Sequence, residues 1–147
     1  MAGSAATITY DRGQDHAGKH GHVRKIIIDW TSDDTTGAVT ATTGKIVGTL
    51  LKVVTDPSAT APTANYDITI KDEESLDVLS GLGGAGGTDP SLANRHTSTT
   101  EVVHLWGEDS VTNPMPGSQP YVCDVLTVAV TNAGNSKLGQ IIIYYLA

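Results

Sequence analysis

The chain is predicted to be all-β: a single-domain antiparallel β-sandwich or jelly roll of about eight short strands, with an irregular N-terminal arm. Three observations predict it. Apolar and polar residues alternate in several short segments, most clearly at 66–71, where Tyr66, Ile68 and Ile70 share one face and Asp67, Thr69 and Lys71 the other. Thr, Val and Ile, which suit a pleated backbone, are plentiful, and 16 glycines punctuate them while Phe is absent. No stretch sustains a 3.6-residue apolar period, and turn signals recur at the spacing of a sandwich or barrel.

At 147 residues the chain fits one domain, able to bury about 68–70% of the surface its unfolded form exposes. Residues 1–22 read as the arm and 23–147 as the β-domain. The single Cys123 excludes an intrachain disulfide framework, so packing or oligomerisation has to supply the stability. Beside an apolar strand it reads as a small buried hydrophobe or an incidental thiol. Sixteen acidic residues against nine basic ones give a net charge of −7, which argues against a protein that grips a nucleic-acid backbone. No apolar run approaches the ~20 residues of a membrane helix. The opening MAGSAATITYDRG lacks the apolar centre of a secretory signal, so synthesis in the cytoplasm is expected.

Taken in order, the arm is small, polar and glycine-bearing, with a short strand at 7–10 that needs a partner to hold it. VRKIIIDW (23–30) is the first firm strand, with Ile26, Ile28 and Trp30 opposite Lys25, Ile27 and Asp29. TSDDTTG is turn material in which Asp and Ser side chains imitate backbone bonds. A short strand at 39–42 precedes GKIVGTLLKVVT (44–55), which is apolar on both faces and interrupted by Gly48; such a strand is central or covered by a partner. DPSATAPTAN is a loop, and the 66–71 strand ends in the acidic turn at 72–75. Leu76–Leu79 resume an apolar-polar pattern before a glycine run. One helical turn is expected after Pro90, at 91–95, and a strand at 100–106. The 107–120 loop carries three of the six prolines and suits contact with a partner. An alternating strand at 124–132, an Asn/Gly connection at 132–139 suited to positive φ, and QIIIYYL (140–146) complete the chain.

Several residue groups resemble chemical sites. His16, His20 and His22 stand together in DHAGKHGH, and His binds zinc or nickel, but no cysteine or second ligand cluster completes a site. Gly81, Gly83 and Gly86 match G-x-G-x-x-G, yet the following GTDPSLANRH is too short and polar for the helix that would receive a pyrophosphate. The acidic pairs Asp33–Asp34, Glu73–Glu74 and Glu108–Asp109 lack calcium-loop spacing and read as solvated turns, although paired carboxylates could also serve a glycosidase. Ser, His and Asp are present without a nucleophile elbow. No cofactor and no catalytic set is expected. Trp30, Trp106, Tyr121, Tyr144 and Tyr145 could stack on a sugar or anchor an interface. Tyr144 and Tyr145 point to opposite faces, which favours an interface.

The proline loop, YDITIKD, LDVLSG and the closing NAGNSKLGQIIIYY together resemble the small virion proteins of tailed bacteriophages that decorate or cement the capsid exterior. The positions that carry the resemblance are Tyr66, Asp67, Ile70, Asp72, Asp77, Leu79 and Gly81, then Asn132, Gly134, Gly139 and Tyr144; they lie in the second half of the chain. The resemblance implies a β-sandwich bound to the major capsid protein on the outside of the shell. It also implies a trimer and a role in stabilising the shell against internal DNA pressure. The expected contact residues are Tyr10, Trp106, Met115, Tyr121, Ile142 and Tyr144. A carbohydrate-binding or host-contact module of a virion fibre is the alternative, and it requires exposed aromatics.

Overall fold

The computed structural model describes residues 3–12, 22–76, 78, 92–104, 107–108, 116–117 and 119–147. The regular elements among these residues are strands, with no helix: β1 (Ala5–Asp11), β2 (Val23–Thr31), β3 (Val39–Pro57), β4 (Tyr66–Lys71), β5 (Leu92–Arg95), β6 (Glu101–His104), β7 (Gly107–Glu108), β8 (Pro116–Gly117), β9 (Tyr121–Thr131) and β10 (Leu138–Leu146). The main sheet has the order β1-β2-β10-β3-β9-β4-β5, with β6 added beside β3, while β7 and β8 pair separately. Every pairing is antiparallel. The all-β prediction therefore holds.

The 19-residue β3 links the two parts of the sheet. Its first half, 39–49, pairs with β9; its second half, 49–57, pairs with β10 on one side and, at 52–55, with β6 on the other. β6 and β9 thus lie in line along β3, His104 opposite Lys52 and Tyr121 opposite Thr49. The chain leaves the sheet after His104 and returns at Pro120, whose carbonyl accepts the Leu50 amide at 2.9 Å. Three strands separate β2 from β4 in the hydrogen-bonded order, yet the rings of Trp30 and Tyr66 have centroids 6.0 Å apart. The sheet curls until its two ends face each other across one core.

That core follows the alternation in the sequence. Ile26, Ile28 and Trp30, then Ile141, Ile143 and Tyr145, then Ile46, Leu50 and Val53, meet Tyr66, Ile68 and Ile70 and Leu126, Val128 and Val130. Burial pushes the Tyr66 hydroxyl above its ordinary pKa. Two irregularities let β3 serve both parts. Its register against β9 shifts between Thr42 and Lys45, and the Leu126 amide that the shift leaves over donates to the buried Thr43 Oγ1 at 3.0 Å. At Gly48 (φ 154°) a Cβ would sit 2.2 Å from the Leu146 carbonyl oxygen, so only glycine lets β3 pass from β9 to β10 at this spacing.

The turns use the expected chemistry. Asp33 Oδ1 accepts the amides of Thr35 and Thr36 at 2.9 and 2.8 Å, which holds its carboxyl below the ordinary carboxylate pKa. Asn132, Gly134 and Ser136 all have positive φ. The two turns join: Ser32 Oγ donates to the Gly134 carbonyl at 2.6 Å, and the Ala133 amide donates to the Gly37 carbonyl at 3.1 Å.

Several local expectations change. The strand of the arm is longer than 7–10 and pairs over its whole length with β2 of the same chain, so it needs no neighbour to hold it. The segments 39–42 and 44–55 are one strand, and β3 runs on into the proline loop. The helical turn expected at 91–95 is instead β5 over Leu92–Arg95, because the free edge of β4 offers backbone partners that outweigh the local preference after Pro90. The 107–120 loop contains β7 and β8. Beyond the acidic turn, Val78 is buried while Leu76 is 64% exposed, and no strand forms there among the described residues. Strand β9 begins at Tyr121, three residues before the expected start, which places Cys123 on its exposed side.

Candidate interaction face

The side of the sheet turned away from the core carries its own order. On β2, β10 and β3 the residues between the buried ones point outward: Lys25, Ile27 and Asp29; Gln140, Ile142 and Tyr144; Lys52, Val54 and Asp56. Pairing arranges them in rows across the strands. Thr9, Ile27, Ile142, Val54 and Val102 are successive register partners, an apolar row over β1, β2, β10, β3 and β6 that only Thr9 interrupts, at its end. Two residues along each strand on one side, Asp11, Lys25, Tyr144, Lys52 and His104 form a mainly basic row. Two residues along on the other side, Thr7, Asp29, Gln140 and Asp56 form an acidic one.

The rows have a topological cause. β10 lies between β2 and β3 and is antiparallel to both, so β2 and β3 run in the same direction. Each carries Lys-x-x-x-Asp, as KIIID at 25–29 and KVVTD at 52–56. Parallel alignment places lysine beside lysine and aspartate beside aspartate.

Side-chain contacts fix the two charged rows. The Lys52 and Lys25 ammonium groups lie 4.4 and 5.5 Å from the centroid of the Tyr144 ring, within cation–π range. Lys25 also pairs with Asp11 at 3.9 Å. Across the apolar row, Gln140 Nε2 donates to Asp29 Oδ1 at 2.6 Å and Thr100 Oγ1 donates to Asp56 Oδ1 at 2.7 Å. The acidic row borders an open depression of about 390 Å³.

Beyond the basic row the face continues through Val23, Leu146, Thr49 and Tyr121, again successive register partners, and then through Val47 and Cys123. Tyr121 is 67% exposed, and Val23, Val47, Val102 and Leu146 are 44–50% exposed. These five are most of the large hydrophobic residues that stand exposed among the described residues. Apolar side chains gathered on one face in this way mark an interaction surface, whereas scattered ones would not.

Of the residues expected to make contacts, Ile142, Tyr144 and Tyr121 come together on this face. Tyr10 lies on the other side of β1 from Thr9, and its hydroxyl accepts the Gly44 amide, an internal tie between β1 and β3. Trp106 and Met115 lie outside the described residues, as do His16, His20 and the Gly81, Gly83, Gly86 motif. His22 is exposed, and its carbonyl accepts the Ala147 amide at 2.9 Å. Trp30 is buried, 3% exposed, which removes it from any sugar-stacking platform. Tyr144 and Tyr145 do point to opposite faces, Tyr145 into the core. Sequence reasoning missed Lys25, Lys52, Asp29 and Asp56 as a set; the repeated Lys-x-x-x-Asp was the available signal.

Among the described residues one acidic group could gather round a cation: carboxylate oxygens of Asp72, Glu74 and Asp124 lie within 4.8 Å of one another. The oxygens of Asp72 and Asp124 already serve the backbone. Asp72 accepts the Leu76 amide at 2.8 Å, and Asp124 accepts those of Glu73 at 3.3 Å and Val125 at 2.9 Å. The Glu73 carboxyl hydrogen-bonds Asp124, which raises the Glu73 pKa and lowers that of Asp124. The group closes the acidic turn onto β9.

No family model, curated protein or solved structure matches this chain. The described residues include no helix long and apolar enough to cross a membrane.

Proposed function

We propose that the protein is a non-enzymatic structural component of a tailed-phage virion, a homo-oligomer that binds the major capsid protein on the outside of the shell and stabilises it. The observation that carries the binding role is the outward face, where an apolar row flanked by ordered charged rows is continuous over five strands. A rigid sheet of this kind suits mechanical reinforcement, because a contact made by paired strands resists local opening. The capsid as partner comes from the resemblance of the 66–81 and 132–145 segments to decoration proteins. The end of the face around Tyr121 and Val47, next to the point where the 107–120 segment rejoins the sheet, is the surface assigned to the shell.

Co-sedimentation with expanded, DNA-free shells of the corresponding major capsid protein tests this reading. The protein is expected to pellet with shells, and Tyr121→Asp and Val47→Asp are expected to weaken that binding at least about tenfold. Wild-type protein that stays in the supernatant with correctly expanded shells contradicts the capsid role. The fibre-module alternative predicts glycan binding; burial of Trp30 weighs against it.

A further inference from the structure

We propose that the central part of the outward face binds a second copy of this chain, face to face, about a two-fold axis that runs along the apolar row. This goes beyond the capsid reading, although it rests on the same face being an interaction surface.

The case is the symmetry of the charges about that row. On β2, Lys25 and Asp29 lie two residues either side of Ile27; on β3, Lys52 and Asp56 lie two residues either side of Val54; on β10, Tyr144 and Gln140 flank Ile142. A two-fold axis lying in the interface along Ile27, Ile142 and Val54 turns each strand end for end while keeping it over its own counterpart. Lys25 then meets the partner copy's aspartate at position 29, Lys52 meets the one at position 56, and the apolar row meets itself. An isologous interface requires this self-complementarity, in which residue i faces j and j faces i.

The opposite choice of axis, along the strands, lays the basic row on the partner's basic row and the acidic row on the acidic. Like charges brought together in that way oppose association, so the charge pattern selects one of the two arrangements. The selected one keeps the strands of the two sheets nearly aligned, as packed sheets require. Of the other outward groups, His104 falls opposite Thr100, and Asp11, already paired with Lys25, falls opposite Thr7 at the outer strand. Farther out, Val23 falls opposite the threonine at position 31 of the partner copy and Leu146 opposite its leucine at position 138, while Tyr121 and Val47, past the ends of the superposed strands, stay open to the shell.

The test is molar mass by light scattering during size-exclusion chromatography, on the full chain at micromolar concentration. The expected mass is twice the 15.3 kDa of the monomer. Lys52→Glu and Asp56→Lys are each expected to raise the dimer dissociation constant at least about tenfold, and the double exchange to bring it back within about threefold of wild type. Lys52 and Asp56 are about 13 Å apart along their own strand, so rescue has no explanation inside one chain. Circular-dichroism melts confirm that each variant is folded before its mass is read.

A wild-type monomer, a trimer, or a dimer in which the double exchange fails to restore association overturns the proposal. Its failure is separable from that of the capsid reading. A trimer that still co-sediments with shells loses only the two-fold, a monomer that does so loses the two-fold and the homo-oligomer but keeps the capsid role, and a dimer that ignores shells loses only the capsid role.

Discussion

The two faces of one strand differ more than any two strands do. On β10, Ile141, Ile143 and Tyr145 pack into the core, while Gln140, Ile142 and Tyr144, each the next residue along, remain half-buried on the outside. The same is true of Val53 against Val54 on β3 and Ile26 against Ile27 on β2. Inward positions are held mainly by apolar volume, with Thr43 and Thr55 the buried polar side chains of β3. Outward positions combine apolar volume with a fixed charge pattern, and that combination is what a partner can read. Residues of almost identical chemistry thus do different work because the pleat turns them to opposite sides.

The sharpest way to break this comparison is a pair of equal truncations one residue apart. Ile143→Ala removes a fully buried side chain and is expected to cost about 2–5 kcal/mol in chemical denaturation. Ile142→Ala at a concentration that keeps the protein monomeric is expected to cost less than about 1 kcal/mol. Similar costs would mean that the outer face is covered within the monomer.

A smaller effect is expected where the inner face carries a polar atom. Thr43→Val keeps the shape but leaves the Leu126 amide without its acceptor, at a cost of about 1–3 kcal/mol. No loss on denaturation would show that the register shift in β3 is satisfied some other way.

How much of this was legible in the sequence depends on which step needed the third dimension. The alternation at 23–30, 66–71 and 124–132 revealed both the strands and their inner faces, because a period of two is local, whereas 140–146, apolar on both faces, showed a strand without showing which side is inward. The Asp33 turn and the Asn132–Gly134 connection were legible for the same reason, since each side chain acts on its own neighbourhood. β5 was not legible, because Leu92–Arg95 forms a strand only by pairing with β4. Nor were the charged rows. Lys25, Asp29, Lys52 and Asp56 stand in plain view, but they form rows only because β10, the last strand of the chain, inserts between β2 and β3. The tie from Tyr10 to Gly44 likewise spans elements that nothing local connects.

The acidic turn gives a pH test with a definite sign. Glu73 has its pKa raised above 4.5 by its hydrogen bond to Asp124, so the stability from that shared proton is present at low pH and is lost as pH rises through the raised value. Asp124 has its pKa lowered below 3.8, so its own contribution is present above that value and is lost as pH falls through the lowered one. At neutral pH both are ionised and repel. Glu73→Gln, a permanent donor, is expected to raise the melting temperature slightly at neutral pH, with the gain fading as the buffer is acidified towards the ordinary Glu value. A gain that persists unchanged in acid would contradict the shared proton.

The smallest effect belongs to Asp33. Its lowered pKa means that its contribution is present above 3.8 and is lost as pH falls through the lowered value. Asp33→Asn is expected to melt slightly below wild type at neutral pH and to converge with it in strong acid. A constant offset across that range would assign the effect to shape instead of charge.

The most direct measurement of the central claim, that the outward face binds a second copy, is the melting temperature as a function of protein concentration for wild type and Ile142→Asp. A two-fold contact through the apolar row predicts that wild type melts higher as concentration rises, because association stabilises the folded chain by mass action. It predicts that Ile142→Asp melts at one temperature throughout, while wild type falls towards a concentration-independent limit as it is diluted. A wild-type melting temperature that does not move with concentration, or an Ile142→Asp variant that rises in parallel with it, would contradict the assignment of this face.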